Sequence, residues 1–198
     1  MIELGSARES EIVLAFLKAE INSTYGQSIR QYCQMFGVTT QELIDRADLD
    51  SDYYNAVRAA VLDCYRGYLR RTLLFAGFPK NVTWRRVELE TTDLSCLKYI
   101  AKEEHWMSYS QGTRSPQRVA DRIALGELPD LAKKVVGIQE SLQRGERLCE
   151  LVAVEGVGGD LILIEGAHRI TAYVDLRWSA NVSAFIGSSL FMHGWQYF

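Results

Sequence analysis

No apolar run in this chain approaches the roughly 18 residues of a membrane span. The first stretch, Met1 to Glu11, holds acids rather than the apolar core of a signal peptide. Histidine is scarce, with three in 198 residues. The four cysteines (Cys33, Cys64, Cys96, Cys149) make no C-x-x-C pair and have no histidine at ligand spacing. That scatter argues against a zinc site and predicts reduced thiols in a cytoplasmic protein with no membrane partner, so the sequons at Asn22, Asn81 and Asn181 carry no glycosylation expectation. Surplus positive charge is missing as well. A formal net charge of −3 argues against binding duplex DNA through bulk charge and leaves Arg70-Arg71 and Arg85-Arg86 as local basic clusters. Internal repeats and low-complexity segments are absent.

What is present fits a globular chain that buries one core, or a core with a smaller appended part. Residues 1–80 read as a helical N-terminal extension. Ile12, Phe16, Leu17, Glu20 and Ile21 fall on one helix face, and Ser28–Phe36 and Thr40–Asp45 support shorter helices broken at Gly37. Ser51 is an N-cap for a helix carrying Val57, Val61, Leu62, Tyr65, Tyr68 and Leu69. "FAGFPKN", Phe75 to Asn81, closes that region.

Residues 81–198 change character. Thr83 to Leu89 alternates like a strand, and Thr92-Asp93 is expected to cap a helix with Leu94, Leu97 and Ile100 on one face. Ser115-Pro116 opens another helix, and a third runs from Pro129 to Arg144 with Gly145 as its stop. Leu148–Val154, Leu161–Ile164 and Val182–Ile186 read as strands, Gly156–Asp160 as a hairpin-like connection, and Ala167–Leu176 as a helix. Trp84, Trp106, Trp178 and Trp195 read as packing anchors, and His105 and His193 as packing or surface groups. The fold class is α+β.

The chemistry concentrates in "LILIEGAHRITAY", Leu161 to Tyr173. A strand ending at Glu165, a turn at Gly166 and a helix starting at Ala167 or His168 put free N–H groups and the positive end of a helix dipole in one place. Arg169 can grip a phosphate with two parallel hydrogen bonds, and His168 adds a donor. Glu165 is suited to holding a divalent metal or orienting a nucleophile. Thr113 and Arg114, ahead of the Pro116 helix, form a second loop of similar make-up.

The order "SLQRGERLCELVAVEG", "GGDLILIEGAHRITAYVDL", "VSAFIGSS" resembles the core of the ParB/sulfiredoxin superfamily over about residues 83–189. The resemblance implies a ParB/sulfiredoxin-like core with a small mixed sheet and surrounding helices, in which the Gly166-Ala167-His168-Arg169 turn binds nucleotide phosphates. Sulfiredoxins carry a catalytic cysteine where this chain has Ala167, which disfavours sulfinic acid reduction. Partition ParB proteins carry Gly-Glu-Arg-Arg there and continue into a helix-turn-helix domain, which disfavours a partition switch. A free-serine kinase branch shares the acidic residue before the glycine. Small plasmid fertility-inhibition proteins, associated with ATPase and DNase activity, match this chain in size.

The resulting expectation is a nucleotide-binding protein of plasmid or mobile-element biology, a magnesium-dependent NTPase using ATP or CTP. Glu165, His168 and Arg169 would be catalytic, with Glu165 on Mg²⁺, and Gly166, Ala167, His168, Arg169, Thr113 and Arg114 on the nucleotide. Two alternatives stand beside it. One is a non-catalytic interaction protein docking a protein partner through the aromatic tail and the tyrosine-bearing helix. The other is a metal-dependent DNase steered by Arg85 and Arg86.

Overall fold

The computed structural model describes residues 1–198. Six strands form one mixed sheet: β1 (Ile2–Ala7), β2 (Thr83–Leu89), β3 (Leu97–Tyr99), β4 (Leu151–Glu155), β5 (Leu161–Glu165) and β6 (Val182–Ser188), in the order β1-β2-β6-β4-β5-β3. β4/β6 and β3/β5 are parallel and the other neighbours antiparallel. The α+β expectation with a mixed sheet therefore holds. No helix is long and apolar enough to cross a membrane.

Helices lie on both faces because the central strands are apolar on both. Along β5, Leu161 and Leu163 join the core under α5 (Glu104–Tyr109), α6 (Pro116–Ala124), α7 (Pro129–Gln143) and α8 (Ala167–Asp175). Ile162 and Ile164 point the other way, onto α1 (Glu9–Glu20), Leu62 of α3 (Asp52–Arg66) and the aromatic tail. β4 splits in the same manner, Leu151 and Ala153 against Val152 and Val154. A period of two over a continuous aliphatic run produces this three-layer arrangement. A third cluster joins α1, α2 (Gly26–Met35) and α3 through Leu17, Ile29, Leu43 and Val61. Ser51 caps α3 as expected, its Oγ accepting from Tyr54 N at 3.3 Å.

Residue 80 does not coincide with a gap in the packing. β1 pairs with β2 from Ile2↔Glu88 to Ala7↔Trp84, and Ile12, Val13, Ala15 and Phe16 of α1 cover the sheet. Two local expectations are corrected. Ile2–Ala7, read without a strand, is the sheet's edge. Thr92–Ile100, expected as one helix, is a single turn, α4 (Thr91–Leu94), followed by β3. Leu94, Leu97 and Ile100 imitate helical spacing, but buried Leu97 and Tyr99 alternate with Lys98, and pairing with β5 (Leu97↔Leu161, Tyr99↔Leu163) wins.

Candidate functional site

At the end of β5 the chain turns at Gly166, in the left-handed region at φ +110°, and enters α8. Only glycine fits there: an added Cβ would lie 2.4 Å from Leu151 Cδ2 and 3.0 Å from the Arg169 guanidinium. The amides of Ala167, His168 and Arg169 precede the first bond of the helix, Ile170 N–H to Gly166 carbonyl at 2.9 Å, so none has a carbonyl within α8 to donate to. Tyr99 anchors the helix from β3, its hydroxyl 2.7 Å from Thr171 Oγ1.

Arg169 folds back over this turn and donates to Glu165 Oε1 at 3.2 Å. Its side chain is 11% exposed and its Nε is buried without a partner, so the guanidinium keeps donor capacity in hand. His168 packs edge-on against Trp106, ring centroids 5.1 Å apart. Burial, followed by the charges of Lys134 and Arg169, holds its pKa down to about 4. At neutral pH it therefore offers a hydrogen bond and not a positive charge.

Glu165 does not stand alone. Burial, then the negative charge of Glu20, pushes its pKa up to about 7 against the opposing pull of Arg169 and Arg66. Glu20, at the end of α1, is 3% exposed. It accepts from Arg66 Nε at 2.9 Å and from Tyr65 Oη at 2.7 Å, while Arg66 also donates to Tyr25 Oη at 3.2 Å and lies 3.9 Å from the centre of that ring. A cleft of about 260 Å³ opens beside this cluster, lined by residues that include Tyr25, Tyr65, Arg66, Ile100, Glu103 and Tyr197.

The Glu20–Arg66 pair and its tyrosines escaped the sequence reading, which placed Glu20 within an apolar helix stripe. An acid in such a stripe was itself the signal, because a buried carboxylate demands a buried partner. Helices α1 and α3 present that pair to the end of β5, so the site draws on both halves of the chain.

No hydrogen bond or ion pair joins the second loop to this cluster. Arg114 donates to Tyr99 O at 2.7 Å and its backbone carbonyl accepts from Tyr99 N at 2.9 Å, which ties the loop to the outer edge of β3. Burial lowers the Arg114 pKa against the opposing charge of Asp160, the residue that precedes β5. Thr113 Oγ1 donates to Ser110 O at 2.7 Å and accepts from Ser115 N at 3.3 Å, a local turn contact. Both residues have structural partners, although Arg114 Nη2 is buried without one, as Arg169 Nε is.

The basic clusters are also engaged. Arg85 pairs with Glu3 and Glu155, Arg86 with Glu11, and Arg70 with Asp63, while Arg71 lies over the Tyr68 ring. No group of three or more His, Cys, Asp or Glu side chains gathers to hold a metal. Of the tryptophans, Trp84, Trp106 and Trp195 are buried and Trp178 is packed at the edge of the core, while His105 and His193 are exposed. Comparison of the chain with protein-family models, with curated proteins and with solved structures finds no match.

Proposed function

We propose that this protein binds a nucleoside triphosphate with its phosphates at the start of α8, in the manner of a ParB/sulfiredoxin-like core, and hydrolyses it slowly. The observation that carries the reading is the Gly166 turn: three donor amides, an arginine with a free buried Nε, and a carboxylate whose pKa sits near neutrality, within five consecutive residues. Phosphate oxygens would take the amides of Ala167, His168 and Arg169, and would displace Glu165 from the Arg169 guanidinium. His168, kept neutral, adds a hydrogen bond. Glu165, freed from Arg169, would take one of two roles: holding the metal, or orienting an attacking water and accepting its proton.

Magnesium fits this donor set. It commonly uses one or two carboxylates together with substrate phosphates, and Glu165 is the residue at the turn that would hold it. When bound, the ion offsets negative charge on the phosphates. Thr113 and Arg114 hold the β3 edge and so support the site from outside it.

Isothermal titration with ATP, CTP and GTP in the presence of Mg²⁺ tests the reading. Binding by the wild type, lost in the His168→Ala/Arg169→Ala double variant, is expected; a wild type that takes up none of the three refutes it. The interaction-protein reading keeps one observation in its favour: Leu190 is 91% and Phe191 65% exposed. The DNase reading has no comparable support, because Arg85 and Arg86 are paired to acids.

A further inference from the structure

The cleft beside Arg66 carries a chemistry that the α8 turn does not use. Arg66 spends three of its five N–H donors on its neighbours: Nε and one terminal nitrogen bind Glu20, and the other terminal nitrogen binds Tyr25 Oη. Glu103, on the cleft wall, is different. No side chain or backbone group hydrogen-bonds its carboxylate, although burial pushes its pKa up against the opposing charges of Arg66 and His105. Tyr197 brings a hydroxyl with no side-chain partner, and Tyr25 and Tyr65 bring aromatic rings packed 5.6 Å apart.

The charge count points the same way. Around the cleft, the carboxylates of Glu20 and Glu103 face the one guanidinium of Arg66, one negative charge in surplus. The remaining walls are Leu73, Leu74 and Ile100. Leu73 holds the left-handed region at φ +48° and leaves its side chain 56% exposed at the rim, an uncommon backbone for a leucine.

We propose that this cleft binds a small organic amine, with the ammonium group on the Glu103 carboxylate and an apolar or aromatic body between the tyrosine rings and Leu73. A protonated amine pairs with the Glu103 carboxylate, balances the surplus charge, and packs against the rings of Tyr65 and Tyr197. The residues come from α3, the 73–75 turn, the approach to α5 and the tail, so the site stands apart from the α8 turn and does not depend on nucleotide binding there.

Phenethylamine and its neutral counterpart 2-phenylethanol are suitable probes, titrated into the full chain and followed by heteronuclear NMR. The amine is expected to bind about tenfold more tightly than the alcohol and to perturb resonances of Tyr65, Glu103 and Tyr197. Glu103→Gln, an isosteric change, is expected to remove that preference, and Leu73→Trp to block both probes while the spectrum stays folded. Equal binding of amine and alcohol, amine binding unaffected by Glu103→Gln, or no binding of the amine by the folded wild type would each overturn the proposal.

Discussion

Gly166 joins the sequence to the site most tightly. Its positive φ and the 2.4 Å approach of a would-be Cβ to buried Leu151 mean that any side chain must displace core atoms. Gly166→Ala is expected to lower stability by about 2 kcal/mol, read as a shift in the urea midpoint with an unchanged slope. Glu165 and His168 leave an opposed pH signature. Glu165 has a folded pKa raised to about 7, so its contribution is full below the ordinary carboxylate range and is lost as pH rises toward 7. His168 has a folded pKa lowered to about 4, so its contribution is full above the ordinary imidazole value and is lost as pH falls toward 4. Between about pH 4.5 and 6.5 the two slopes oppose each other, and the wild type should show little net dependence from this pair. Glu165→Gln should expose a stability that rises with pH in that window, by at most about 1.4 kcal/mol per pH unit, and His168→Gln one that falls. Urea titrations at half-unit pH steps check both signs; parallel profiles for wild type and variants would contradict them.

Among the elements, the α1–α3 clasp matters most. Glu20 is 3% exposed and binds Arg66 and Tyr65, so Glu20→Ala leaves a partly buried guanidinium without its counter-ion and should cost about 3 kcal/mol. The exposed Arg8–Asp50 pair, at the opposite ends of α1 and α3, should give no measurable change when Asp50 is replaced by alanine. Chemical denaturation of both variants makes the contrast visible. Element identity was legible wherever periodicity and end signals agreed: Ser51 starts α3, Pro116 starts α6, Pro129 and Gly145 frame α7, and β2 spans Thr83–Leu89 as its alternation suggests. The end of α3 was not, since left-handed Gly67 stops the helix before Tyr68 and Leu69, which were expected on it. Legibility failed where a short segment satisfied two periods at once. Leu94, Leu97 and Ile100 suit a helix, and Leu97-Lys98-Tyr99 suits a strand, so only the partner strand β5 decides. β1 failed for another reason: an exposed edge strand buries no face, and therefore leaves no alternating apolar imprint.

At the scale of the molecule, one sheet with helices on both sides brings Glu20, Arg66 and Glu165 together from positions far apart in the chain. The turn of the candidate site, Gly166 to Arg169, was legible because it is contiguous and rests on strand–turn–helix geometry that the residues themselves impose. The partners of Glu165 were not, since their proximity is a product of topology, and Thr113 and Arg114 show the converse, a plausible loop that topology directs to the edge of β3. Nucleotide phosphates are proposed to sit on the amides at the start of α8. Titrating MgATP and MgCTP into ¹⁵N-labelled protein tests this placement directly. The amide resonances of Ala167, His168 and Arg169 are expected to shift most with at least one nucleotide; unchanged resonances there, or shifts confined to other parts of the molecule, would contradict it.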